Sequence, residues 1–403
     1  MTQRKMIEPK VWPWYDHKRY SFCMAAQKGD YLFFSGNTAS EFDPATKRMI
    51  CKGDIVDQTG VNYEKAKLLL ESAGGNMDDI VKITDYVTPL GIEKYPQLVA
   101  LRRRYFKDGR YPAGTSLVVN HLLRPDAFIE VECVAVVGQS EKKVINPGWP
   151  DDGSFSYPPA VQKGDLLFIS GQVGIDYRTG KIVDHDDLIA QTNQAYQNIQ
   201  TILDASGATF NDIVKTIDYV APGGIAKHKD TEKVRAKFFK GNYSAHTAVG
   251  VYQNLPKEAL IKVEAIAVVG NTKKEMYDFG LGKKVEGLTH RPIVKKGKLI
   301  ALSGVVSIDL ETGELVSGDV VAQMRQVLKN AEKILGAAGV GWNDVLMAVD
   351  SIVPEAEAAY RGTADIRHEF FKGALPPSTG IIQNKLIGVE GLLINLDFMA
   401  AAD

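Results

Sequence analysis

The 403-residue chain has only three cysteines, Cys23, Cys51 and Cys133, all in its first third, with no C-x-x-C pair and no histidine at zinc-ligand spacing. So small and odd a set excludes a disulfide framework and a cysteine-based zinc module, and suits a reducing cytoplasm. An excess of one charge is lacking too: 48 Lys plus Arg face 49 Asp plus Glu, for a net charge of -1. Nothing in that balance draws a phosphate backbone, so nucleic acid is not an expected partner. No window is apolar over the roughly 18 residues of a membrane span, and the start, MTQRKMIEPKVWPWYDHKRY, lacks the apolar core of a signal peptide. A soluble, intracellular protein without membrane contact is expected. HExxH, P-loop and strand-to-helix G-x-G-x-x-G motifs are also missing, so no metal, nucleotide or flavin cofactor is expected.

What is present is repetition. QKGDYLFFSG, QKGDLLFISG and KKGKLIALSG place Gly29, Gly164 and Gly297 at intervals of 135 and 133 residues, a domain-scale period. Each copy opens with a turn and an apolar strand, passes through a polar hairpin (FDPATKR, DYRTGK, DLETGE) and enters a helix. In DLIAQTNQAYQNIQTILDASGA, Ile189, Ala195, Ile199, Ile202 and Leu203 recur at helical spacing and Gly207 is the expected stop. A strand follows in each copy and ends before Pro89, Pro222 or Pro354. A second helix and two strands close the unit.

This order predicts an α+β fold with two helices on one face of a sheet, in three domains at 1–138, 139–270 and 271–403, with folded parts at 15–138, 155–270 and 288–403. The segments 138–154 and 270–290, rich in Gly, Pro and charge, read as linkers. The open sheet faces are expected to pack around a common axis as a pseudo-trimer within one chain, with a higher oligomer left open.

The SGQ turn after an apolar strand, QTxQAxxNIxxILxASGAT in the helix, and P-A-x-[ST] followed by xVEAIAVV together resemble the Rid (YjgF/YER057c/UK114) family, in three tandem RidA-like copies. The resemblance implies a chorismate-mutase-like fold, clefts between neighbouring domains, and hydrolytic deamination of enamines and imines. It also implies an arginine after P-A that clamps the substrate carboxylate, and an acidic residue on the closing strand that helps place water. Here Gly114, His246 and Ser378 stand in the arginine's place, and Glu130, Lys262 and Asn395 in the acid's.

One working cleft is therefore expected, around Glu130 as general base or water-positioning group; the alternative is a solvated strand glutamate paired with a lysine. His246 is the second catalytic candidate, carrying a proton near neutral pH, or else merely filling the arginine's volume. Gly114 opens room for a bulkier substrate or closes a dead cleft. Ser378 and Thr379 bind a ligand oxygen or cap the local backbone. Arg124 replaces the missing clamp or is a surface arginine, and His121 in the same loop carries the same two readings. Asn37 and Gln172 end the first two SGQ-like turns, where the third copy has Val305. Arg102-Arg103-Arg104 reads as a solvated helix face, and Trp12, Trp14, Tyr15 and Tyr20 either wall a cleft or staple the N-terminal extension. The expected function is cofactor-independent hydrolysis of a C–N bond, in an enamine, imine or amide of a small-molecule substrate. The alternatives are a non-catalytic ligand-binding or scaffold protein and, more remotely, a ribonuclease.

Overall fold

A computed structural model describes residues 3–107, 109–150, 157–278 and 288–403. The repeated phrase is a tight hairpin in every copy. Gly29, Gly164 and Gly297 adopt φ of 61°, 62° and 57°, the left-handed conformation that glycine takes without steric cost. They join Ala25–Lys28 to Tyr31–Phe34, Ala160–Lys163 to Leu166–Val173, and Ile293–Lys296 to Leu299–Leu302. The long helices Ile55–Ser72, Leu188–Ser206 and Val320–Ala337 each begin after an aspartate, Asp54, Asp187 or Asp319, whose carboxylate accepts from backbone N–H groups of the first turn. Leu188–Ser206 ends at Gly207 in the left-handed conformation, as its sequence predicts, although Leu188 rather than Ile189 is the buried residue at its start.

In the second copy the strand order is Lys142–Ile145, Ala160–Lys163, Leu166–Val173, Ile261–Val268, Ile213–Val220, Ala245–Gly250, and the other two sheets follow the same plan. Ile213–Val220 and Ala245–Gly250 are parallel, so the chain must cross over between them, and the second helix, Glu232–Phe239, lies in that crossover. The strands Lys142–Ile145 and Lys274–Tyr277 lie in segments that read as linkers; each pairs with the first hairpin of the following domain. Those segments therefore start domains as well as joining them. Their remaining parts at 151–154 and 279–287 lie outside the described residues.

Each sheet buries its helix-covered face in a core of its own. The opposite faces share one apolar cluster, which includes Tyr31 and Phe33 of the first domain, Leu166 and Phe168 of the second, and Leu299 and Ala301 of the third. Burying large apolar side chains contributes roughly 1.5–3 kcal/mol each, so this shared face is a strong link between the three domains. Strands also cross between them: Gln253–Asn254 pairs with Ala113–Val118, His121–Leu122 pairs with Ser378–Ile382, and Val249 forms a bridge with Leu386.

Near the shared cluster the buried polar groups are paired unevenly. Lys82 Nζ lies 2.7 Å from Glu264 Oε1, and Lys215 Nζ 2.7 Å from Asp397 Oδ1. The corresponding acid of the first domain, Glu132, forms no ion pair with a lysine among the described residues, the third copy having Met347 at that position; it accepts from Thr379 Oγ1 at 2.7 Å. Lys82, Glu132, Lys215 and Asp397 line a cavity of about 20 Å³, room for one water. Among the described residues no helix is long and apolar enough to cross a membrane.

Candidate functional site

The strand Ile129–Val136 alternates as a two-faced strand must. Ile129, Val131 and Cys133 enter the helix-side core, and Glu130 and Glu132 emerge on the opposite face, 6% and 2% exposed. Glu130 meets the third domain across Gly36: a Cβ at Gly36 would overlap Glu130 Oε1 and press on Thr379 Cγ2. Thr379 Oγ1 also accepts from the Gly36 N–H at 2.9 Å, and Ser378 N–H donates to Ser35 Oγ at 2.8 Å. The first and third domains are thus joined beside the carboxylate. Among the described residues nothing hydrogen-bonds to or ion-pairs with Glu130. Burial first, then the neighbouring Glu132, raise its pKa to about 8, while Arg124 draws it down. Arg124, partly exposed, donates to Tyr20 Oη at 3.4 Å, and the phenol pKa values of Tyr15 and Tyr360 are raised chiefly by burial, with a smaller push from Glu130. Glu130, Arg124, Tyr15 and Tyr360 therefore share one electrostatic neighbourhood. The N-terminal aromatics staple the extension: Trp12, Tyr15 and Tyr20 pack edge-on in series, and Tyr15 feels the charge of Glu130.

Gly36→Ala is expected to displace the Glu130 carboxyl and weaken any activity that depends on it, at an overpacking cost of about 1–3 kcal/mol. Steady-state kinetics beside thermal unfolding would separate the two effects.

The cleft at Gly114 is closed. Tyr157 fills the space that glycine leaves, donates to Asp85 Oδ2 at 2.6 Å and stacks 4.4 Å from the Arg102 guanidinium. Gly114 thus opens no room for substrate. Lys262, at the position of Glu130, is buried there with its ammonium donating to the Ser116 carbonyl, and burial lowers its pKa to about 7. Arg102 is a correction to the reading of the arginine run: it is 2% exposed and ion-paired with Asp85 at 2.5 Å, while Arg103 and Arg104 are exposed. A helix turns one residue in three or four inward, and Arg102 is that residue. Asp218–Arg235 and Asp350–Arg367 repeat the buried pair. An Asp and an Arg aligned in all three copies were the available sequence signal.

His246 occupies the third cleft, 8% exposed, with Asn395 of the third domain close to Gly304. Burial, followed by Arg235 and two further histidines, pushes its pKa well below the ordinary value. That shift favours the neutral imidazole near pH 7, against the expected role of carrying a proton there. His121 lies 2.8 Å from Glu357 of the third domain, on a partly exposed boundary. The amides of Asn37 and Gln172 turn back onto Ser35 O and Ser170 O, at 2.9 and 2.8 Å. Ser378 Oγ accepts from Arg367 at 3.4 Å. Of the candidates, then, Glu130, Arg124, Ser378 and Thr379 converge on one boundary, whereas Gly114, His246 and Gln172 do not join them.

The Endoribonuclease L-PSP family model matches the chain three times, at residues 16–137, 152–269 and 288–402. A RutC family protein of Pyrococcus horikoshii is 41% identical over 112 residues, 28% of this chain and 85% of that protein. The 2-iminobutanoate/2-iminopropanoate deaminase of Dermatophagoides farinae is 30% identical over 130 residues, 32% of this chain and 98% of the relative. The crystal structure of the Rid family protein YyfA of Yersinia pestis is 33% identical, with a TM-score of 0.29, and covers 32% of this chain and 100% of its own.

Proposed function

The chain belongs to the endoribonuclease L-PSP family, and on that premise we propose that it hydrolyses the C=N bond of a small imine at one cleft between its first and third domains. The observation that carries this reading is Glu130: buried at a domain boundary, without a partner among the described residues, and raised to a pKa of about 8. At pH 7 such a group is about tenfold more often protonated than not, so it begins as an acid rather than as the base the sequence suggests. Glu130 gives its proton to the imine nitrogen, which makes the carbon electrophilic. The carboxylate then takes a proton from water as the oxygen bonds to that carbon, forming a carbinolamine. Glu130 protonates the amine, the C–N bond breaks with loss of ammonia, and the hydroxyl proton returns to the carboxylate as the carbonyl forms. One water enters and one ammonia leaves.

Arg124 is placed to meet an anionic substituent, in the role of the arginine missing from positions 114, 246 and 378. Relatives named as imine deaminases support the reaction class. The balanced charge supports a small molecule over RNA. Three free cysteines, Cys23, Cys51 and Cys133, fit a reducing cytoplasm. The exchange of strands and the shared apolar cluster support a closed pseudo-trimer of domains 1–138, 139–270 and 271–403.

The test is ammonia release from 2-imino acids generated in situ and from small cyclic amides. For the proposed acid, kcat/KM holds level below pH 7 and falls about tenfold per unit well above pH 8. A rate that instead rises to a plateau above pH 8 would assign Glu130 as a base only. Silence across both substrate sets, with small-molecule binding still detected by thermal shift, would favour a non-catalytic ligand-binding protein, the reading that the missing arginines suggest.

A further inference from the structure

We propose that the cleft between the second and third domains binds a divalent transition-metal ion, Zn²⁺ in the first instance, through His228, His246 and Asp218. Three of the chain's seven histidines, His228, His246 and His290, gather there; the His246 ring centroid lies 6.1 Å from that of His228 and 6.0 Å from that of His290. None of the three is explained by the repeat. In the other copies the position of His228 holds Tyr95 or Tyr360, that of His246 holds Gly114 or Ser378, and that of His290 holds Phe22 or Tyr157. Only this cleft exchanges aromatic and small residues for imidazoles, and it does so at three separate points in the sequence, two in the second copy and one in the third.

The geometry is that of a donor set. One donor atom each from Asp218, His228 and His246 lie within 4.8 Å of one another. His228 Nε2 is 3.0 Å and His246 Nε2 3.7 Å from Asp218 Oδ2. Two ligands at ordinary zinc bond lengths and a tetrahedral angle stand about 3.3 Å apart, between those two values. All three residues are more than nine-tenths buried. His246 Nδ1 lies 3.1 Å from Thr216 Oγ1, while its Nε2 is buried without a hydrogen-bond partner among the described residues. If Nδ1 donates to Thr216, Nε2 turns a free lone pair toward the other two donors. An outer hydrogen bond of this kind commonly orients a metal-bound histidine.

Arg235 Nη1 also reaches Asp218 Oδ2 at 3.0 Å, but Oδ1 has no hydrogen-bond partner among the described residues, so Oδ1 is free to take the guanidinium while Oδ2, within 3.7 Å of both imidazole Nε2 atoms, takes the ion. His290, whose Nδ1 is buried without a hydrogen-bond partner among the described residues, stands beside His246 as a further donor. Two imidazoles and one carboxylate suit zinc, nickel or cobalt over the harder magnesium or calcium.

The sister copies supply substitutions that the fold already accommodates, His228→Tyr and His246→Ser. Full-length protein stripped with a chelator should take up one Zn²⁺ per chain by calorimetry. With Co²⁺ it should give the visible absorption bands of a four-coordinate site. Each substitution should weaken binding by at least the roughly 10–100-fold that loss of an outer hydrogen-bonding group causes, with thermal unfolding of the metal-free variants near wild type. Glu130→Gln and Cys51→Ser should bind as wild type does, which keeps this site separate from the proposed catalytic cleft and from the most exposed thiol. Absence of stoichiometric uptake of both ions, or uptake that survives both histidine substitutions, overturns the proposal.

Discussion

Glu130→Gln lowers kcat/KM for the imine substrate by about 100-fold or more while the protein stays folded. Glutamine keeps the volume beside Gly36 and Thr379 but cannot release or accept the proton that the proposed steps pass back and forth. The same changes elsewhere should do little: Lys262→Gln alters a cleft already filled by Tyr157, and Asn395→Ala one without a carboxylate at that position. An independent readout accompanies the kinetics. The folded state keeps a proton on Glu130 that the unfolded chain releases above its ordinary carboxylate range. Wild-type stability therefore falls as pH rises from about 4.5 to about 8, by up to ~1.4 kcal/mol per unit from this group. Glutamine removes that slope, so melting temperature against pH should be flatter in the variant. If Glu130→Gln stays fully active while His246→Ala does not, the working cleft belongs to the second domain.

Lys82→Met destabilises the protein by about 3–5 kcal/mol, since it strands Glu264 in the interior without its cation. Glu264 is 1% exposed and Lys82 5%. The contact is an ion pair without hydrogen-bond alignment, because neither oxygen of Glu264 has a hydrogen-bond partner among the described residues. The third copy shows what such a change requires: where Met347 replaces the lysine, Glu132 accepts a hydroxyl hydrogen from Thr379, and burial keeps its pKa raised. Adding Glu264→Gln to Lys82→Met should recover much of the loss, and denaturant unfolding of the two single variants and the double variant measures the coupling. Equal stability of Lys82→Met and wild type would mean that Glu264 simply takes up a proton.

The elements that local chemistry dictates are legible in the chain. Gly29, Gly164 and Gly297 mark turns because their backbone needs glycine, and the prolines at 89, 222 and 354 mark strand ends. The face shared by Glu130 and Glu132 follows from alternation alone. What lies across a domain boundary is not legible in this way. Tyr157 stands just after a segment that reads as linker, and only the path of the chain carries it over Gly114. The charges of the Arg102 run suggest solvent, whereas the facing Asp85 decides that one of them is buried. His228 and His290 lie 18 and 44 residues from His246, with no metal-ligand spacing, and meet only because a parallel crossover and an interdomain segment end in the same cleft.

The pairing of His121–Leu122 with Ser378–Ile382 sets a waiting time on the ribosome. The first domain can form its helices and hairpins early, but the strand that accepts its short arm is made roughly 250 residues later. At about 5–20 residues per second that is roughly 12–50 s. During that interval an unpaired backbone edge and the apolar face around Tyr31 and Phe33 stay uncovered, open to the same segments of a neighbouring nascent chain. Soluble yield is therefore expected to fall as nascent chains are spaced more closely on the message, which varying the translation initiation rate would check.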